Sequence, residues 1–234
     1  MTIAASSIVR RATDLIMDNT NVRWPAQELV RWLNDAQREV IIARPDAINK
    51  TATVTLAVGS RQNLDAMALT PAPSKLIEVT RNMAATSAKK AVRLLPRQVL
   101  DSQQPGWHTI PGTVDILHYL YDARDPKTFY VYPPALASAQ LEINYSGVPV
   151  DIVEPADGAL YSGVVGNLSV PDIYGNAVLD YVLDRAYLKD ADFAGNSARA
   201  QAHYGAFAAS LGMELKATLA TQPQGKPDTN GNGA

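Results

Sequence analysis

Pro171–Ala220 reads PDIYGNAVLDYVLDRAYLKDADFAGNSARAQAHYGAFAASLGMELKATLA. It holds two helical runs that meet at Gly195, a residue free to adopt the turn between them. In the first run Tyr174, Ala177, Val178, Tyr181, Val182 and Leu188 share one face at 100° per residue, and Leu179, Leu183, Ala186 and Tyr187 carry the apolar arc round the other side. Asn176, Asp180 and Asp184, spaced i, i+4 and i+8, form the clean polar stripe. Arg185 and Lys189 interrupt the apolar side, where long stems can lie on apolar surface with the charge in water. A helix apolar over most of its circumference is buried over most of it, against its own chain or against a neighbouring subunit. The second run is alanine-rich (Ala198, Ala200, Ala202, Ala206, Ala208, Ala209), which lets helices approach closely, with Tyr204, Phe207, Leu211 and Leu215 as its larger ridge. Neither run contains a nucleophile–base pair, a metal-ligand spacing or a phosphate loop.

Working outward, residues 3–18 predict an amphipathic helix, because Ile8, Ala12, Leu15 and Ile16 fall on one face. A second helix is expected from Pro25, as its first helical residue, to Arg44-Pro45, with Leu29, Trp32, Leu33, Ala36 and Val40 as its stripe. Residues 48–150 change character. Thr51–Val58, Leu76–Val79, Val92–Leu94, Val114–Tyr121, Thr128–Tyr132 and Leu141–Tyr145 read as strands. Turn signals such as Pro71-Ala72-Pro73, Gln104-Pro105-Gly106 and Asp125-Pro126-Lys127 lie between them, and a short helical turn is expected at Pro96–Ser102.

The expected fold is α+β. Residues 1–47 supply an N-terminal helix pair and 171–220 a C-terminal pair, and the two pack into a four-helix bundle. Residues 48–150 form an inserted antiparallel β-rich region, 151–170 a connecting loop, and 221–234 (TQPQGKPDTNGNGA) a flexible tail too polar to offset its ordering entropy.

The totals exclude several functions. With 21 basic and 23 acidic residues the formal net charge is −2, without the basic excess of a non-specific DNA binder. The absence of cysteine excludes disulfides, thiolate metal sites and cysteine nucleophiles. No apolar run approaches the ~20 residues of a membrane span, and the N-terminus lacks the pattern of a secretory signal.

The candidate chemistry is sparse. His108, His118 and His203 are far apart in sequence, and no G-x-S-x-G elbow accompanies them. Asp122 and Asp125 precede a proline and read as turn formers. Gly158, Gly163 and Gly166 lack the lysine of a phosphate loop. Phe129, Tyr130 and Tyr132 resemble a base-stacking platform, yet alternation puts Phe129 on the opposite face and only Lys127 interleaves, which favours packing. No catalytic, cofactor or metal residues are assigned.

Four pieces in order carry a resemblance: RWPAQELVRWLNDAQREVIIARPDA (23–47), WHTIPG (107–112), DPKTFYVYPPA with LEINYSGVP (125–135, 141–149), and VPDIYGNAVLDYVLDRAYLKDADFAGN (170–196). Together they resemble the head-to-tail adaptor proteins of tailed bacteriophages, in particular the podovirus tail tubular A-like group, over residues 15–215. The resemblance implies a non-enzymatic structural protein of the virion, made in the host cytoplasm and located at the portal vertex. It implies a homo-oligomeric ring, typically dodecameric, that joins the portal protein to the tail or nozzle protein. Genomic DNA would pass through the ring without sequence-specific binding, and neither cofactor nor membrane is involved. It further implies that the C-terminal tail, including Gln222, Pro223, Gln224, Lys226 and Pro227, docks on the portal; in such a ring Asn176, Asp180 and Asp184 either line the DNA channel, where negative charge keeps the duplex from sticking, or form a plain solvated stripe. The alternative is a soluble enzyme or nucleic-acid-binding module.

Overall fold

The computed structural model describes residues 2–86, 89–193 and 195–221, with side chains as far as Gly212. Among these residues the elements run α1 (Ala5–Ile16), α2 (Ala26–Ala43), β1 (Asn49–Thr55), β2 (Gly59–Asn63), β3 (Pro73–Asn82), β4 (Arg93–Leu94), α3 (Arg97–Gln103), β5 (His118–Tyr121), β6 (Thr128–Ala135), β7 (Gln140–Gly147), α4 (Gly175–Lys189) and α5 (Asn196–Thr221).

The helical part is organised around α4. Its Ala177, Val178, Leu179, Tyr181, Val182, Leu183 and Ala186 are all buried, so the near-complete apolar girth is satisfied within this chain. α1 presents Ala5, Ile8, Val9, Ala12 and Ile16 to it, a stripe at helical spacing. α2 presents Leu29, Val30, Leu33, Ala36 and Val40. Pro25 lies one step outside α2: its carbonyl accepts the Leu29 N–H at 3.1 Å, the first bond of the helix, while its own ψ of 142° is extended. The turn from α1 to α2 closes on the Asp18 carboxylate, which accepts the N–H groups of Val22, Arg23 and Trp24. α4 stops at Lys189, and Gly195, at φ +88°, reverses the chain into α5.

The β part is a pair of sheets. One has the order β1-β7-β3 and is antiparallel; the other has the order β2-β6-β5-β4, with β4 parallel to β5. The inward faces share a core of their own, including Val54, Leu76, Val79, Phe129, Val131, Leu141, Ile143 and Tyr145. α3 and the turn that follows it cover the outer face of the second sheet, burying Trp107 between Leu100, Leu120, Tyr130 and Tyr132. β2 escapes hydrophobic patterning because its inward residues are Ser60 and Gln62. The Gln62 amide answers the turn before it, accepting the Ala57 N–H and donating to the Ala57 and Gly59 carbonyls.

The expected four-helix bundle with an inserted β region is not what forms. Among the described residues there are five helices and two sheets of three and four strands, and the β-rich part is the bulk of the molecule. The physical reason lies in two segments. α5 packs chiefly on α4, and its described core residues are few: Ala200, Phe207 and Leu211. Residues 151–170, expected as a mere connection, instead send Ile152, Val164, Leu168 and Val170 into the core of α1, α2 and α4, where a further helix would have to pack. This irregular segment is pinned by side chains. Asn34 brackets Ile152, accepting its N–H at 2.8 Å and donating to its carbonyl at 3.0 Å. Gln37 accepts the Ser169 N–H and Asn21 the Tyr161 N–H. Buried backbone away from a helix or sheet requires such partners.

Candidate assembly interface

The polar stripe of α4 is spent on neighbours within the chain. Asn176, at its exposed end, accepts a bond from Arg11 of α1 at 2.9 Å. Asp180 meets His203 of α5, Oδ1 to Nδ1, at 2.9 Å, and the imidazole lies parallel to the Tyr187 ring with centroids 5.7 Å apart. Asp184 is 5 % exposed. Burial pushes its carboxyl above the ordinary range, against the pull of Arg185 and His203. The stripe thus fastens α1 and α5 to α4, leaving Asn176 as its surface member.

Arg185 and Lys189, the two cations on the apolar side, are held as well. Arg185 donates to the Tyr181 hydroxyl at 2.8 Å and stands over the Tyr181 ring, a bond that raises its guanidinium further. Lys189 reaches Glu28 and the Arg23 carbonyl. With the Arg23–Asp190 ion pair, these contacts join the α1–α2 turn to the α4–α5 turn. The joined end leaves large apolar groups in water: Met17 is 89 % exposed, Val22 80 %, Phe193 69 % and Leu188 45 %. Along α5 the exposed residues include Ala198, Arg199, Gln201, Ala202, Tyr204, Gly205, Ala206, Ala208 and Ala209, a face on which small side chains predominate and which α4 leaves uncovered. Large apolar side chains left in water at one end of the molecule make that end a candidate interaction surface.

The remaining candidates fall apart spatially. His108 meets Ser60 (Oγ to Nδ1, 2.8 Å) and stacks on Trp107 at 3.6 Å. The nearby Asp101 does not complete a triad, because it accepts from the Trp107 indole and from Arg97, and the indole bond chiefly holds its carboxyl below the usual range. His118 stacks on Tyr132 in the second sheet, and His203 belongs to α5. Among the described residues no group of three His, Cys, Asp or Glu side chains could hold a metal. Asp122 serves its turn: it binds Arg124 through both backbone and side chain, which draws its carboxyl down to about 2. Phe129 is fully buried, and Tyr130 and Tyr132 pack edge-on to Trp107, so they are not a free stacking platform. Gln222, Pro223, Gln224, Lys226 and Pro227 lie outside the described residues.

A family model described as SU10 adaptor protein matches residues 3–228, nearly the whole chain. No curated protein matches it. No helix among the described residues is long and apolar enough to cross a membrane.

Proposed function

The chain belongs to the SU10 adaptor protein family, and from that membership we propose that it is the head-to-tail connector of a tailed phage. A phage adaptor is a structural component of the virion. The finer reading is a ring of identical copies between the portal protein and the tail or nozzle protein, at the neck, continuing the channel through which the genome leaves. The observation that carries it is the family match across residues 3–228.

The geometry supports the reading in three ways. Subunit contacts in a ring are heterologous, so each copy needs two different faces available. The outer face of α5 and the apolar end at Met17, Val22, Leu188 and Phe193 are two such faces. Asp180 of α4 is engaged by His203 of α5 and Asn176 by Arg11 of α1, contacts that tie both neighbouring helices to α4 and support its reading as a stiff wall. Of the stripe, Asn176 is exposed and is the residue proposed to line the DNA channel, while Asp180 is held by His203 and Asp184 is buried.

The segment after α5, including Gln222, Pro223, Gln224, Lys226 and Pro227, is the part proposed to dock on the portal. Removing residues 222–234 tests this in a binding assay on purified portal protein. The truncated chain should keep its circular dichroism spectrum and melting temperature and lose portal binding by tenfold or more, on the order of the 1.4 kcal/mol that such a factor represents. Undiminished binding would remove the tail from the mechanism.

A further inference from the structure

Four strand edges end the two sheets, and three of them are blocked. β3 begins at Pro73 and has three irregularities of register, and its outer side is occupied where Leu76 bonds Pro126 and Thr80 bonds Val92. β2 carries a bulge and the Gln62 amide. β4 is two residues long. β1 differs from all of these. Its seven residues, NKTATVT, pair with β7 in unbroken register from Asn49↔Ser146 to Thr55↔Gln140. It contains no proline, no bulge and one charge, Lys50, near its start. Natural sheets rarely leave such an edge unguarded unless something covers it.

The outward hydrogen-bonding groups of β1 can be assigned. Leu56 donates to Ala139, and Gly147 donates to Ile48. Both bonds lie on the β1–β7 register, one beyond each end of β1, and both use an even-numbered residue of this strand region. Antiparallel pairing alternates strictly, so Ala52 and Val54 also bond β7, while the N–H and C=O groups of Thr51, Thr53 and Thr55 point away from the sheet. They border an open cleft of about 570 Å³, whose lining includes β1, Tyr145 and the segment 66–70.

We propose that β1 pairs antiparallel with β1 of a second copy of this chain, about a two-fold axis through Thr53. This register is self-complementary. Thr53 faces Thr53, and Thr51 faces Thr55 of the second copy, so each outward N–H meets an outward C=O, giving about six hydrogen bonds across the axis. The three threonines of each strand form a ladder on the exposed face, and cross-strand threonine pairs are favourable. On the inner face Ala52 meets Val54, and Lys50 meets Leu56, so no like charges oppose each other. The partly buried Met67 and Leu69 of both copies are covered at the same time. A two-fold contact closes at two copies and therefore cannot be the repeating contact of a ring. The inference does not depend on the ring reading: it concerns the free chain, whose bare edge it covers.

Sedimentation velocity on the full chain tests the pairing across its soluble concentration range, with two variants that spare the β7 side. Thr53→Pro deletes an N–H that β7 does not use, a placement an edge strand tolerates. Thr53→Lys sets two cations against each other on the axis. A wild-type dimer whose dissociation constant rises about tenfold or more in both variants, with unchanged circular dichroism, is the expected result. The chain has no cysteine, so cross-linking reads the register directly. A short bis-maleimide should link Thr53→Cys into a dimer by itself, whereas it should link Thr51→Cys to Thr55→Cys in a mixture and neither of them alone. A strictly monomeric wild type overturns the proposal. So does an oligomer that a folded Thr53→Lys or Thr53→Pro variant leaves intact, or a Thr53→Cys chain that forms no linked dimer.

Discussion

Asp180 on α4 and His203 on α5 stand 2.9 Å apart, and they form the polar clasp between the two longest-paired helices of the molecule. Among the described residues of α5 the other large side chains buried at this contact are Phe207, edge-on to Tyr181, and Leu211, and the stacking of His203 on Tyr187 adds to the clasp.

Replacing His203 by alanine should therefore loosen α5 selectively. Both partners are partly solvated, so the expected loss is about 1 kcal/mol. It should appear as faster hydrogen exchange in α5 amides, while those of β7 and β3 keep their protection.

Asn34→Leu should be far more damaging than its size suggests. Asn34 satisfies both backbone groups of Ile152 in a buried setting, and leucine leaves both without their partner. A loss of about 2–4 kcal/mol is expected, read as a lower denaturation midpoint, with the 151–170 segment the first to become protease-sensitive.

Asp184→Asn should stabilise the chain at neutral pH. Burial raises the folded-state carboxyl above its ordinary value of 3.8, so ionisation costs more in the folded than in the unfolded state. The penalty is absent below that ordinary value, where both states hold the proton. It grows as pH rises through the folded-state value and is complete above it. Melting curves should show the variant more stable than wild type at pH 7, with the difference vanishing in acid below about pH 3.8. A constant difference at all pH values would refute this account of Asp184.

Trp107→Ala should cost about 3–5 kcal/mol, the usual range for emptying a buried aromatic site, because α3 and the second sheet meet on this ring. Trp107→Phe keeps much of the packing and loses the indole bond to Asp101, so its melting temperature should fall less.

The sequence showed the helices well, because their apolar residues recur at helical spacing and Gly195 marks the reversal. It showed most strands through β-branched and apolar runs between turn signals, with alternation at Thr128–Tyr132 and Leu141–Tyr145 matching the buried faces of β6 and β7. β2 was hidden because Ser60 and Gln62 point inward, a pattern that looks solvated until the turn it serves is seen. The bundle expectation failed because periodicity reports that a face is buried without saying by what. Ile152, Val164, Leu168 and Val170 sit in a segment with no period, so their place in the helical core could not be read in advance. The stripe at Asn176, Asp180 and Asp184 was visible as spacing, but its partners Arg11 and His203 lie far away in sequence.

The most direct test of the connector reading is native mass measurement of the purified chain with and without portal rings. The account predicts that portal rings gain a fixed number of copies in a closed ring of defined mass. A chain that leaves portal rings unchanged in mass and forms no ring of its own would contradict it.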